Sequence, residues 1–293
     1  MDLNELCYSR LSGNEKLVKL LAQYYDGPAI FNTEFPPDQA EGWNGMDQYP
    51  RVLYRISMQA NQERSSSGSI RVTIYGRKDP TVIEEIEDLV KGCLTDVLMK
   101  PEGEAPFSMA WFNTEPFSVT DMAVFGKEIS FDIIEYPDQT TTDPDPVMAL
   151  SAYIKDIFPE FIVLGLDEIG EITNPSETPV IFCRLDSIAS ADGTCLNTVS
   201  WFQCVISVHV LCSDQGMRMR ITGGLNQKLA IDTEVTMVDD SPMEIRALRM
   251  NARADYLREG QLAVTGYFGA LKDGEYYPIV RHGYVIPSYG KED

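Results

Sequence analysis

The chain is poor in basic residues and has no long apolar run. Its 293 residues include 45 acidic but only 24 basic side chains, which gives a net charge of −21. Counterion release from a phosphate backbone needs lysine and arginine, so this balance argues against nucleic-acid binding and against attraction to anionic membranes. No stretch reaches the roughly 18 consecutive apolar residues of a membrane-spanning helix. We therefore expect a globular protein without a specific nucleic-acid partner and without a membrane partner.

Histidine and cysteine are also scarce, and the motifs of the common enzyme classes are missing. The two histidines, His209 and His282, are far apart, and the six cysteines include no CxxC pair that would indicate a zinc site. No GxGxxG, Walker, GxSxG or HExxH motif occurs. The sequence therefore predicts no catalytic residue, no cofactor and no metal. Acidic pairs such as Asp239–Asp240 are the basis of an alternative, a two-domain enzyme with a carboxylate site.

What the chain does contain is an internal repeat. The segments Pro50–Ile56 and Pro179–Leu185 match at a constant offset of 129 residues. Around them, each half has the same predicted order: a helix, a short strand, the matched strand, a second strand, a second helix and two closing strands. The second strand of the second half, Trp201–Cys212, alternates apolar and polar residues, so His209 is predicted to face away from the core toward the wetter side. The shared order indicates a tandem duplication.

The repeat predicts an α+β fold with two similar domains, each a mostly antiparallel β-sheet packed against two α-helices. We place domain 1 at residues 1–138 and domain 2 at residues 146–272. Residues 139–145 contain threonine, aspartate and proline but no apolar residue, and they are predicted to form a semi-rigid linker. The tyrosine-rich residues 273–293 lie beyond the second repeat and are expected to form a C-terminal arm.

Six residues are candidate contacts with another subunit or with a partner protein. Arg55 and Arg184 occupy the same place in the two matched strands. Each can form an ion pair across a domain or subunit boundary, or each can be satisfied within its own domain, and the sequence leaves both alternatives open. Trp43 lies in the long loop 34–49, and an aromatic residue in a long loop favours a contact surface. The C-terminal arm contributes Tyr276, Tyr277 and Tyr284.

Three local motifs stand out in the first half: the strand Tyr49–Ile56, the Ser/Gly turn at 65–68 and a strand that ends at Gly76 just before Asp79-Pro80. Together with the element order, these motifs resemble the tail terminator (tail completion) proteins of tailed bacteriophages, here in a tandem-duplicated form. The resemblance implies a homo-oligomeric ring that ends the tail tube, stops its polymerisation and receives the head. We expect three chains in a pseudo-sixfold ring or six chains in a two-tier ring.

The resemblance also implies the partners and the location. The partners are the chain itself, the tail tube protein and a head–tail connector or neck protein, while DNA passes through the ring without specific binding. The expected location is the virion, after assembly in the host cytoplasm. Two alternatives stay open: another neck or baseplate adaptor built on the same domain, and the two-domain enzyme with a carboxylate site.

Overall fold

The computed structural model describes residues 1–44, 47–59, 66–119, 123–139, 141–191 and 199–271. Within these ranges the α-helices are α1 (Leu3–Ser12), α2 (Glu15–Leu20), α3 (Pro80–Leu94), α4 (Pro146–Ile157) and α5 (Gln215–Asp232). The strands of the first half are β1 (Gln23–Tyr24), β2 (Gly27–Pro28), β3 (Ile30–Asn32), β4 (Arg51–Met58), β5 (Gly68–Gly76), β6 (Leu98–Met99), β7 (Phe107–Val119) and β8 (Val124–Glu135). Those of the second half are β9 (Ile162–Val163), β10 (Ile172–Thr173), β11 (Val180–Ser190), β12 (Val199–Leu211), β13 (Glu234–Thr236), β14 (Pro242–Met250) and β15 (Leu262–Leu271).

The two halves build sheets of the same strand order. The first sheet runs β6-β7-β8-β5-β4-β3 and the second runs β13-β14-β15-β12-β11-β9. At one end of each sheet a short strand, β3 or β9, pairs in parallel with the matched strand, β4 or β11. The other neighbouring strands pair antiparallel. Within the matched strands, Val52 pairs with Ile30 and Ile181 pairs with Val163. The expected α+β fold with mainly antiparallel sheets is thus confirmed, while the domain limits stay a prediction.

Local sequence signals explain where the main helices begin and which face they bury. The side chain of Asp79 accepts a hydrogen bond from the backbone N–H of Thr81, and Pro80 occupies the first helical turn of α3. Asp145 and Pro146 start α4 in the same way. Each sheet packs one face against its helices, and the two resulting cores are separate clusters of buried aliphatic and aromatic side chains.

The first half contains one helix more than predicted, and the helix that the apolar spacing predicts over 14–24 is shorter. Helix α1 begins with a capping box in which Asp2 and Glu5 satisfy each other's backbone N–H groups. The first sheet is therefore associated with three helices rather than two. Helix α2 ends at Leu20, because the chain then turns into the β1–β2 hairpin and the backbone N–H of Ala22 binds the Pro50 carbonyl.

A third cluster of buried side chains joins the two halves, and we call it the junction core. Its members come from both sides: Leu98, Ile134 and Tyr136 from the first half, and Leu164, Val180, Phe182, Leu211 and Leu257 from the second. Strand β10 of the second half also adds an outermost strand to the first sheet by pairing with β6. The halves therefore pack directly against each other.

The junction core corrects the prediction for His209. Its side chain does point away from the core of the second half, as the alternation of β12 requires, but it is only 1% exposed. The first half covers this face of the sheet, so that Tyr136 and Phe182 lie 6.4 and 5.7 Å from the imidazole, measured between ring centroids. The face of β12 that carries His209 would be exposed to solvent in an isolated second half, but it is buried in this chain.

Candidate assembly surfaces

Trp43 holds the loop 34–49 against the first half instead of standing free at its tip. Its indole Nε1 donates a hydrogen bond to the Pro37 carbonyl at 3.0 Å, and its backbone forms an isolated β-bridge with Tyr24. The indole also makes edge contacts with the rings of Tyr24 and Phe31, at centroid distances of 5.0 and 5.8 Å. The side chain remains partly exposed. It therefore orders the loop and still presents part of its surface to a partner.

Arg51 anchors the same loop from below, and the sequence analysis missed it. The residue is only 3% exposed, and its guanidinium donates to Asp38 Oδ1 and to the Tyr49 hydroxyl, both at 2.9 Å. The guanidinium carbon lies 3.8 Å from the ring centroid of Phe35 and 4.4 Å from that of Tyr49. Such desolvated cation–π contacts are worth up to about 2 kcal/mol each. We call this group, Phe35, Asp38, Tyr49 and Arg51, the arginine–aromatic cluster.

Arg55 lies on the exposed face of the first sheet, on the side away from the helices. Its Nε donates to the Thr33 carbonyl at 3.1 Å, and on the neighbouring strand it lies directly opposite Arg71. Two like charges directly opposite each other are unfavourable unless a carboxylate is close, and Glu128 lies 3.7 Å from Arg71. In the described part of the chain, no carboxylate forms an ion pair with Arg55 itself. Its guanidinium is therefore available to a neighbour.

Arg184 takes the equivalent place in the second half but already has partners within that half. Its Nε donates to Asp186 Oδ1 at 3.2 Å and its Nη1 donates to the Arg258 carbonyl at 3.1 Å. Arg258 in turn forms a 2.5 Å ion pair with Asp132 of the first half. The matched arginines thus differ in their surroundings, because Arg184 pairs with a carboxylate of its own half and Arg55 has no ion-pair partner among the described residues. The predicted contacts Tyr276, Tyr277 and Tyr284 lie outside the described residues.

A surface that the sequence analysis did not single out is the outer edge of β7. Three of its large apolar side chains are exposed, Trp111 by 47%, Phe112 by 55% and Val119 by 39%. Beyond the pairing of β6 with Phe107 and Ser108 and an isolated bridge between Thr95 and Met109, no described residue pairs with this edge. The Trp111 side chain contacts helix α3, because the Lys91 Nζ atom lies 4.0 Å from the centroid of the Trp111 ring.

The lysine behind Trp111 belongs to a buried ionic group. Glu87 accepts hydrogen bonds from Lys91 at 2.5 Å and from Lys127 at 2.6 Å. Burial alone raises the pKa of Glu87, but the hydrogen bonds from the two lysines outweigh burial and lower the pKa below its usual value. The carboxylate therefore stays ionised at neutral pH and fixes Lys91 beneath the indole. Trp111 is thereby rigid although it is exposed.

The equivalent outer strand of the second half, β14, also has an unpaired edge. Strand β13 covers Pro242–Glu244 and the backbone N–H of Ile245 binds the Thr233 carbonyl, but among the described residues nothing pairs with the outer side of the remaining stretch, 246–250. This stretch exposes Arg246 and Arg249. Arg246 forms a 2.8 Å ion pair with Glu244, whereas Arg249 has no ion-pair or hydrogen-bond partner within the described ranges. The two free edges thus differ in charge and apolar character.

Carboxylates are numerous at the junction, and one of them, Asp167, is engaged in structural contacts. A cleft of about 590 Å³ between the halves is lined by Glu104, Asp138, Asp167 and Glu168. Burial raises the pKa of Asp167, yet hydrogen bonds from Lys155 and from the Val163 backbone outweigh this effect and lower the pKa. A carboxyl group held ionised in this way is a poor proton donor. The carboxylate of Asp239 also has a structural contact, since it accepts hydrogen bonds from the backbone N–H and the hydroxyl of Ser241 within a turn.

Two further features of the described residues bear on metal and membrane binding. In these ranges, no three side chains of the His, Cys, Asp or Glu type come together in a way that would hold a metal ion. None of the five described helices combines the length and the apolar character needed to cross a membrane.

Comparison with known proteins gives no family assignment. No protein-family model matches the chain, and no curated protein is significantly similar to it.

Proposed function

We propose that this chain is a structural virion protein that forms a ring at the end of a phage tail tube. The ring stops the polymerisation of the tube protein and offers a docking surface to the head–tail connector or neck protein. This function is the one that the resemblance to tail terminator proteins implies. Assembly takes place in the host cytoplasm, and the assembled protein belongs to the tail or neck of the virion.

The observation that carries the proposal is the identical strand order of the two sheets. Two copies of one architecture, fixed to each other by the junction core, give a rigid block with two related but unequal outer strands, β7 and β14. A block with unequal edges favours head-to-tail contacts, and such contacts build rings when the rotation between subunits closes. The duplication thus supports a ring of three or six chains.

The negative net charge of the chain favours a ring through which DNA passes over a ring that binds DNA. The net charge of −21 repels phosphate groups, so DNA can move through a ring of this protein without being held at the wall. Arg51, the most deeply buried arginine described above, is directed into its own half and neutralised by Asp38. It is therefore not presented as a phosphate-binding group.

The experiment is a mass measurement followed by a functional one. Mass photometry at 0.15 M salt should show particles of about 99 kDa for three chains or about 197 kDa for six, from a chain of 32.9 kDa. Co-expression with the tail tube protein of the same genome should then give short, capped tubes in negative-stain electron microscopy. A chain that stays monomeric and leaves tube length unchanged would refute the proposal.

The functional measurement also separates the alternatives. A ring that binds a purified neck or baseplate but has no effect on tube length would identify another adaptor. A compact low-order oligomer with no affinity for tail components would instead favour the two-domain enzyme with a carboxylate site in the junction cleft.

A further inference from the structure

We propose that the outer edge of β7 in one copy pairs with the outer edge of β14 in the next copy, so that the sheets of neighbouring chains join. This inference rests on the proposed ring and names the contact that would build it. The occupant of each edge is therefore a second copy of this chain. The argument follows from the two edges, from their charges and from their places in the fold.

The first step is that both edges can accept a strand. Backbone N–H and C=O groups along an unpaired edge favour the addition of another strand. The described residues leave β7 unpaired beyond Met109 and β14 unpaired beyond Ile245. Each strand also has a β-bulge, at Trp111–Asn113 in β7 and at Ile245–Ala247 in β14, which increases the local twist. Two edges with similar irregularities can follow each other over a short length.

The second step is the chemical difference between the edges. β7 exposes Trp111 and Phe112 together with the carboxylate of Glu115, while β14 exposes the guanidinium groups of Arg246 and Arg249. Arginine forms ion pairs with carboxylates and stacks on aromatic rings, so each edge offers what the other lacks. Residues 80–119 carry eight acidic and two basic side chains, whereas the equivalent 215–250 carry five of each. The net charges of −6 and zero make contact between two first-half edges unfavourable.

The third step is that complementary edges at equivalent places give a closed assembly. Each protein chain has one β7 edge and one β14 edge, and every contact pairs a β7 edge with a β14 edge. A linear row of subunits therefore has a free β7 edge at one end and a free β14 edge at the other. This is the head-to-tail arrangement that closes into a ring. A chain with a net charge of −21 repels its copies elsewhere, so attraction confined to these edges also limits other contacts.

Proline restricts the length of the pairing. Pro116 has no backbone N–H, and proline inside a sheet occurs on edge strands with its nitrogen facing outward. A strand added to β7 therefore loses a hydrogen bond at this residue. We place the contact on the stretch 111–115, which contains both exposed aromatic residues and Glu115, opposite the stretch 246–249 of β14.

The main test is a cross-link between the two edges in the full chain. Asn113→Cys and Ala247→Cys place one thiol in the middle of each stretch, in a Cys195→Ser background, because the other five native cysteines are buried. A bismaleimide with a span of about 10 Å tolerates a register shift of two residues, about 7 Å. The double variant should give a ladder of covalent oligomers on a denaturing gel that ends at the ring size. Each single variant should remain at the monomer position.

Charge reversal is the second test, and it uses matched controls. Glu115→Arg and Arg249→Glu should each raise the concentration at which half of the chains assemble by about tenfold, and the double reversal should restore most of this loss. Glu85→Arg and Arg220→Glu make the same charge changes at exposed positions on α3 and α5 and should change assembly less than twofold.

The outcomes separate the edge pairing from the ring. Rings that form normally but show no ladder in the double variant would overturn the edge pairing and leave the proposed function standing. Efficient cross-linking of either single variant would mean that like edges meet, which also overturns it. A wild-type chain that stays monomeric before cross-linking would contradict the ring and the edge pairing together.

Discussion

The buried histidine at the junction predicts how stability depends on pH. Burial lowers the pKa of His209 to about 4, and the positive charge of Arg184 acts in the same direction, while Asp186 opposes it. In the unfolded chain the imidazole titrates at its ordinary pKa of about 6.5. Between these two values the unfolded state binds one proton more than the folded state. Stability is therefore lost as the pH falls from about 6.5 to about 4.

The magnitude follows from the two pKa values. The complete loss is roughly 3 kcal/mol, and about 2 kcal/mol of it falls between pH 7 and pH 5. The carboxylates with lowered pKa values, such as Glu87 and Asp167, titrate below this window and contribute at more acidic pH. The slope between pH 7 and pH 5 therefore reports mainly on His209.

Urea denaturation followed by tryptophan fluorescence measures this slope. His209→Gln should remove most of it, because glutamine does not titrate. Any cost of losing the contact between Nδ1 and the Tyr256 carbonyl is the same at both pH values and cancels in the comparison. His282→Gln makes the same substitution at the other histidine and serves as the control. An unchanged slope in His209→Gln would show that the imidazole does not remain neutral in the folded protein.

Two further predictions concern the first half and the thiols. Arg51→Met should lower the free energy of unfolding by about 3 kcal/mol, because Asp38 and the surrounding rings lose a buried cation. The control Arg71→Met, at an exposed position, should lower it by less than about 1 kcal/mol. Chemical denaturation measures both changes, and equal values would contradict the prediction. Burial raises the pKa values of Cys7 and Cys183 to about 12, so both thiols should resist iodoacetamide at pH 8 until the chain unfolds. Peptide mass spectrometry measures the labelling, and rapid labelling of either thiol in the native protein would disprove its burial.

Periodic patterns predicted the main elements well because these elements bury one face against a local partner. The alternation in β5 places Ile70, Val72 and Ile74 in the core, and the stripe on α3 packs against the same sheet. The arginine-bearing matched strands occupy the same place in both sheets. Such one-sided burial leaves a record in the spacing of apolar residues.

The features that escaped prediction depend on contacts between distant residues. The burial of Arg51 is invisible to a pattern that places charged side chains outside, because its partners come from a separate loop. The sequence pattern predicts strand β7 over 107–112 only. Its extension to Val119 was missed because the bulge after Trp111 shifts the alternation and Pro116 suggests a strand end. His209 is buried by the other half of the chain, and no local spacing carries that information.

Strand β10 makes the first sheet depend on the second half of the chain. Separating the chain between β8 and α4 would deprive the first sheet of its last strand and would uncover Leu98 and Tyr136, which are almost completely shielded in the intact chain. The second piece would lose the cover over His209 and Phe182 at the same time. We therefore expect each half, produced alone, to expose apolar side chains that the intact chain buries at the junction core.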